Sequence, residues 1–124
     1  MKEIIKELWK YFDERKFDKA KELLHKEFKG YWKTTLEIFE TRDNFIEVNK
    51  MYPGNWRTQL QKVEMTENGA VSVTYVYSKE SENKFYATTF YKFKDNLIYR
   101  IEEYWATCEK SSSWRNKYIK LSKN

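Results

Sequence analysis

An α+β fold, with helices on one side of a curved antiparallel sheet, is predicted by three observations. Helical periodicity is confined to the first half of the chain, which reads helix, helix, short strand, helix. From Trp56 onward the residues alternate as strands, and turn dipeptides at Asn68-Gly69 and Asp95-Asn96 divide them into hairpins. Only 3 Gly and 1 Pro argue against a loop-rich or disordered chain. With no linker and 124 residues, a single domain over 1–124 is expected.

The first helix is predicted over 2–13, where Ile4, Leu8 and Phe12 fall at helical spacing beside Ile5 and Trp9. DERK at 13–16 is a polar turn. Phe17-Asp18 opens a second helix carrying Ala20, Leu23, Leu24 and Phe28 inward, with Asp18 in its first turn. Gly30 ends it, and 30–40 reads as one or two short strands. A third helix is expected from Asp43 to Met51, stopped by Pro53-Gly54. Trp56, Thr58 and Leu60 alternate, then Val63 and Met65 take the opposite parity, so a bulge is expected near Gln61. Val71, Val73, Tyr75 and Tyr77 share a face of the next strand. Residues 111–118 are expected to add a terminal helical turn.

The hairpin from Lys84 to Thr107 organises the rest. With Asp95-Asn96 as its loop, Phe90 faces Ile101, Thr88 faces Glu103 and Tyr86 faces Trp105, all on one face. The other face carries Ala87, Thr89, Tyr91, Ile98 and Tyr104. Neither is a plain solvent face, so a homodimer through this second, outer face is expected.

Composition excludes several classes. The aromatic set of five Trp, ten Tyr and eight Phe is heavy for this length, and points to an aromatic core or pocket. A lone cysteine, Cys108, rules out an internal disulfide and a cysteine-based zinc site. His25 is the only histidine, so no metal is expected, and no organic cofactor is implied. The net charge of +5 permits nucleic-acid binding without demanding it, because the lysines mostly alternate with glutamates. Nucleic acid is not expected as a partner. The N-terminus lacks the apolar core of a signal peptide, and there is no apolar run of the length that spans a membrane. A cytoplasmic location is expected.

Glu103 is the sharpest candidate for chemistry. Among Trp105, Ile101, Phe90 and Tyr75 it would be partly desolvated, and its pKa would rise toward a useful acid or base value. The bland alternative is a carboxylate paired near a rim. His25, at the expected end of the second helix, suits a capping role. Tyr52, Pro53, Gly54 and Trp56 form a turn that either borders a pocket or anchors the third helix. Trp32 either lines that pocket or fills it. Cys108 has no recognisable partner and reads as a passive thiol.

The segments FDKAKELLHKEF (17–28), RDNFIEVNKMYPGNW (42–56) and FYATTFYKFKDNLIYRIEEYW (85–105) resemble the nuclear transport factor 2-like superfamily, on its polyketide-cyclase-like (SnoaL-like) side. The resemblance covers nearly the whole chain. It implies a cone, with the bent sheet wrapped around three N-terminal helices and a pocket at the wide end, and often a dimer. Its functional residues transfer poorly. Trp32 stands where the steroid-isomerase arrangement has a carboxylate base, and Leu8 where it has a tyrosine. Glu103 matches one acid of the epoxide-hydrolase arrangement, but 72–78 supplies no matching Arg or second acid. Ala106 replaces a further acid common in SnoaL-like members.

The expectation is therefore a small-molecule-binding domain with an apolar, aromatic-lined pocket built from Trp32, Tyr52, Trp56, Tyr75, Thr88, Phe90 and Trp105. Glu103 is the candidate for cofactor-free acid–base catalysis. The alternative is a non-catalytic interaction module whose pocket is filled by its own aromatics. The ligand expected is small, and apolar or aromatic.

Overall fold

The computed structural model describes residues 1–123. In chain order the elements are α1 (Lys2–Asp13), α2 (Phe17–Glu22), β1 (Leu24–Trp32), β2 (Glu37–Phe39), α3 (Arg42–Met51), β3 (Trp56–Thr66), β4 (Gly69–Ser78), β5 (Lys84–Lys94) and β6 (Leu97–Thr107). A 3₁₀ turn at Ser113–Tyr118 follows, with no buried residue. The strands form one sheet in the order β2-β1-β6-β5-β4-β3. All neighbours are antiparallel except β1 and β6.

Helix α1 buries Ile5, Leu8, Trp9 and Phe12, the stripe its periodicity predicts. It is pinned to β3 at its C-terminal end. Asp13 accepts two hydrogen bonds from the Arg57 guanidinium, at 2.9 and 3.0 Å, and one from the Thr58 backbone N–H at 2.9 Å. The arginine holds the Asp13 carboxyl below its ordinary pKa. Helix α3 starts where Thr41 accepts a hydrogen bond from the Asn44 backbone N–H, an N-cap. Phe45 of α3 packs against Phe12, Phe28 and Phe39, and Phe12 also meets Phe17 of α2, which brings the three helices, β1 and β2 into one core.

The second helix is shorter than its residues predict. Leu24–Phe28 leave it and join β1, which runs beside β6. From Phe28 onward, burial alternates through Gly30 and Trp32, as in a strand. Leu24 pairs with Ile98 of β6, and the Ile98 N–H donates to the Leu23 carbonyl at 3.0 Å, so contact with β6 outweighs the helical propensity of this stretch, while β2 pairs only with Gly30–Trp32. His25 accordingly sits in β1, buried, and not at a helix end. Its Nδ1 accepts the Glu27 backbone N–H at 3.0 Å, and its Nε2 lies 3.0 Å from the Asp95 carboxylate.

The bulge expected in β3 is present. Leu60 pairs with Thr74 and Lys62 with Val73, leaving Gln61 extra. The β3–β4 loop is Glu67-Asn68, one residue ahead of the Asn-Gly pair. Gly69 instead opens β4, where an added Cβ would lie 2.0 Å from the Tyr91 carbonyl oxygen.

The long hairpin has the predicted loop and a different register. Asp95 and Asn96 both take left-handed backbone, with φ of 54° and 63°, and Lys94 pairs with Leu97. The register then shifts, because Phe93 pairs with Ile98 and Lys92 with Arg100. Tyr99 is the extra residue. Its ring packs edge-on against His25, and the Arg100 guanidinium lies 3.8 Å from its centroid. Beyond this bulge every partner on β5 moves by one. Thr89 pairs with Glu103 and Tyr91 with Ile101, while Thr88 pairs with Tyr104 and Phe90 with Glu102.

That shift exchanges the faces of β5. Ala87, Thr89, Tyr91 and Ile98, expected to meet a second copy of the chain, are buried in the chain's own core. The face left outside carries Tyr86, Phe90 and Tyr104.

Candidate functional site

The concave side of the sheet and the helices enclose a cavity of about 450 Å³. Its walls come from most of the elements. Helix α1 supplies Trp9 and Phe12, α2 supplies Phe17, and α3 supplies Val48 and Asn49. Trp32, Trp56, Val76, Phe85 and Trp105 come from the sheet, and Tyr52 from the end of α3. Arg15, Glu37 and several threonines are the other polar lining groups.

The aromatic wall is continuous. Trp32 makes edge contacts with Tyr52 and Trp105, at centroid distances of 6.3 and 6.0 Å. Trp56 contacts Tyr52 and Phe85, and Phe85 contacts Trp105. The turn after α3 sets Trp56 in place, because its indole N–H donates to the Pro53 carbonyl at 2.7 Å. Gly54 there has a φ of 111°, and an added Cβ would lie 2.7 Å from that same indole nitrogen.

Two wall tryptophans are anchored from behind by a buried polar cluster. The Trp9 indole N–H donates to the Tyr91 hydroxyl at 2.9 Å, and Ser72 Oγ lies 2.5 Å from that hydroxyl. The Trp32 indole N–H donates to Glu103 Oε1 at 2.9 Å, and the Thr89 hydroxyl donates to Oε2 at 2.7 Å. Burial raises the Glu103 pKa, against the lowering effect of these two donors. Burial also raises the Tyr91 hydroxyl well above the ordinary tyrosine value. Trp105 differs: its indole N–H is buried and has no hydrogen-bond partner among the described residues.

Of the residues expected to bind a ligand, Trp32, Tyr52, Trp56 and Trp105 line the cavity together. Tyr75, Thr88 and Phe90 do not. Tyr75 pairs with Tyr86 on the outer face, and the Tyr99 bulge sends Thr88 and Phe90 there too. Glu103 is on the concave side but is not part of the cavity wall. Its neighbours are Thr89 and Trp32 instead of Thr88, Phe90 and Tyr75. Trp9, Phe12, Phe17, Val48 and Phe85 line the cavity without having been singled out. The helical residues among them share the apolar periodicity of ordinary core residues, so nothing in their spacing marks a cavity. Among the described residues no group of three His, Cys, Asp or Glu side chains is placed to hold a metal ion.

The sequence matches no protein-family model and no curated protein sequence. Its structure is similar to many solved ones. A candidate ketosteroid isomerase from Kribbella flavida superposes with a TM-score of 0.83 at 15% identity, over 98% of this chain and 88% of the other. A nuclear transport factor 2-like protein of unknown function from Burkholderia xenovorans gives a TM-score of 0.83 at 12% identity, over 98% and 94%. An epoxide hydrolase from M. tuberculosis gives 0.69 at 8% identity, over 84% and 80%. The chain has the nuclear transport factor 2-like fold. At these identities the likeness is one of fold, and the reaction of a neighbour does not transfer with it.

Proposed function

We propose that the protein binds a compact apolar or aromatic molecule in the cavity between its helices and sheet. The observation that carries this is the cavity itself: about 450 Å³, walled by aromatic rings from α1, α2, β1, β3, β5 and β6 and by Tyr52 at the end of α3. That volume lies in the usual range for small-molecule sites, roughly 300–1,000 Å³. It favours binding over the alternative of an interaction module plugged by its own side chains. Glu103 is assigned a positioning role. Its carboxyl accepts the Trp32 indole N–H and holds that ring in the wall, and it is not itself exposed to a ligand there.

The test uses N-phenyl-1-naphthylamine, a neutral probe whose fluorescence rises in apolar surroundings. Saturable binding to the wild type is expected. Val48→Trp, which places a large ring in the cavity, should abolish it. A wild type that gives no saturable signal, or a Val48→Trp variant that binds as well, would overturn the reading.

A further inference from the structure

The cavity adjoins a second, shallower hollow of about 290 Å³ that is rimmed by charged side chains. It is lined by Arg15, Lys16, Phe17, Asp18, Lys19 and Lys50, and it shares Arg15 and Phe17 with the first. Four cations therefore face one carboxylate. Lys16 is paired with Glu14 at 3.2 Å, whereas Arg15, Lys19 and Lys50 have no carboxylate partner among the described residues.

Arg15 stands at the junction. Its Nη2 donates to the Lys50 carbonyl at 3.2 Å, and its guanidinium lies 5.2 Å from the centre of the Phe17 ring. An arginine has five N–H donors, so most of them remain available to an oxyanion. Its backbone has a φ of 59°, a left-handed conformation sparsely populated by residues other than glycine. That conformation closes the C-terminus of α1, where the Arg15 N–H donates to the Phe12 carbonyl at 3.1 Å and the Lys16 N–H to the Tyr11 carbonyl at 2.8 Å, and it fixes the point from which the guanidinium departs.

We propose that the ligand is amphipathic: an apolar body in the aromatic cavity, joined to an oxyanion such as a carboxylate held by Arg15 with Lys19 and Lys50. This rests on the cavity reading above and names the class of molecule that site takes. Arg15 is its specificity-determining residue, because it alone among the cations lines both hollows.

A matched pair of competitors tests it. 2-Naphthoate and 2-naphthalenemethanol share a ring system and differ in charge, and each is used to displace the neutral probe. At low salt the acid should displace it at about tenfold lower concentration, the usual scale of a charge-assisted hydrogen bond. Raising the salt to about 1 M should shrink that advantage, because exposed charges are then screened. Arg15→Gln and Arg15→Gly should remove it, the second without the left-handed backbone cost of a side chain. Arg15→Lys should keep part of it. Thermal unfolding of each variant reports that the fold is intact, and the acid's advantage is read as the ratio of the two displacement concentrations, in which any change in probe affinity cancels. Equal displacement by both compounds in the wild type, or an advantage that survives both Arg15→Gln and Arg15→Gly, would overturn the proposal while leaving the cavity reading in place. Failure of the neutral probe to bind would overturn both.

Discussion

On the covered face of β4–β6, Ser72, Thr74, Thr89 and Glu103 are buried beside Tyr91. On the opposite face of the same strands, Tyr86, Phe90 and Tyr104 stand 41%, 46% and 42% exposed. A plain amphipathic rule would assign these sets the other way round. The difference shows what burial requires. Polar groups are tolerated inside when each meets a partner. Ser72, Thr89, Tyr91 and Glu103 do so, and they supply the acceptors that hold Trp9 and Trp32. Thr74 Oγ1 is the exception, buried without a partner among the described residues. The outer aromatics are half covered by one another, with Tyr75 lying 5.2 Å from Tyr77 and 5.3 Å from Tyr86 between ring centroids.

The largest contrast should come from adjacent glutamates on β6. Glu103→Ala strips the acceptor from both the Trp32 N–H and the Thr89 hydroxyl in a sealed site. Leaving two such groups unpaired should cost about 3 kcal/mol. Glu102→Ala, on the outer face, removes only a partner of the Tyr104 hydroxyl and should change stability by less than about 0.5 kcal/mol. Urea denaturation of both variants measures this, and similar costs would erase the distinction between the faces. Glu103→Gln sharpens it through pH. A carboxyl whose pKa is raised by folding contributes its full stabilisation below its unfolded value, near 4.5, and loses it as pH rises through the folded value. The amide cannot ionise. Stability of Glu103→Gln relative to wild type should therefore climb as pH increases from 4 toward 8. A flat or falling difference would show that folding does not raise the Glu103 pKa.

A smaller contrast separates two tyrosines of β5. Tyr91→Phe leaves the Trp9 indole N–H and the Ser72 hydroxyl without their partner and should cost about 1–3 kcal/mol. Tyr86→Phe removes a hydroxyl from an exposed ring and should stay within about 0.5 kcal/mol. Equal losses in thermal or urea unfolding would mean that the outer face is covered and that its hydroxyls are used.

The order of elements after α2, the β5–β6 loop and the β3 bulge were legible because each rests on local chemistry, while the β3–β4 loop lies one residue ahead of its Asn-Gly signal. Asp95-Asn96 tolerates positive φ, Thr41 caps α3, and the parity switch around Gln61 marks an extra residue. What was not legible depends on contacts distant in sequence. Leu24–Phe28 become strand because β6 lies alongside, some seventy residues away in the chain. The Tyr99 bulge is stabilised by His25 and Arg100, and no period-two pattern in β6 announces it. That single residue turned Thr88 and Phe90 outward and brought Thr89 to Glu103. The acid at the centre of the covered face was thus visible, while its partners were not. Arg15 was read as part of a polar turn, because adjacency of the two hollows exists only in three dimensions.

The last comparison sets two indoles within the cavity wall side by side. Trp32 and Trp105 pack edge to face, 6.0 Å between centroids, yet their N–H groups have different fates. That of Trp32 donates to Glu103, and that of Trp105 is buried without a partner among the described residues. Replacing either by Phe removes the N–H and part of the ring. At Trp32 the change also leaves Glu103 Oε1 without its donor, adding about 1–3 kcal/mol to the packing loss. At Trp105 no such acceptor is abandoned, and deleting an unpaired buried donor offsets part of the lost contact. The backbone of Trp105 keeps its two hydrogen bonds with the Thr34 hydroxyl in either case. Trp105→Phe should therefore cost less than about 1 kcal/mol, and clearly less than Trp32→Phe, by urea denaturation of the two variants side by side. If Trp105→Phe costs as much as Trp32→Phe, the Trp105 N–H has a partner in solution, and the difference between the two indoles disappears.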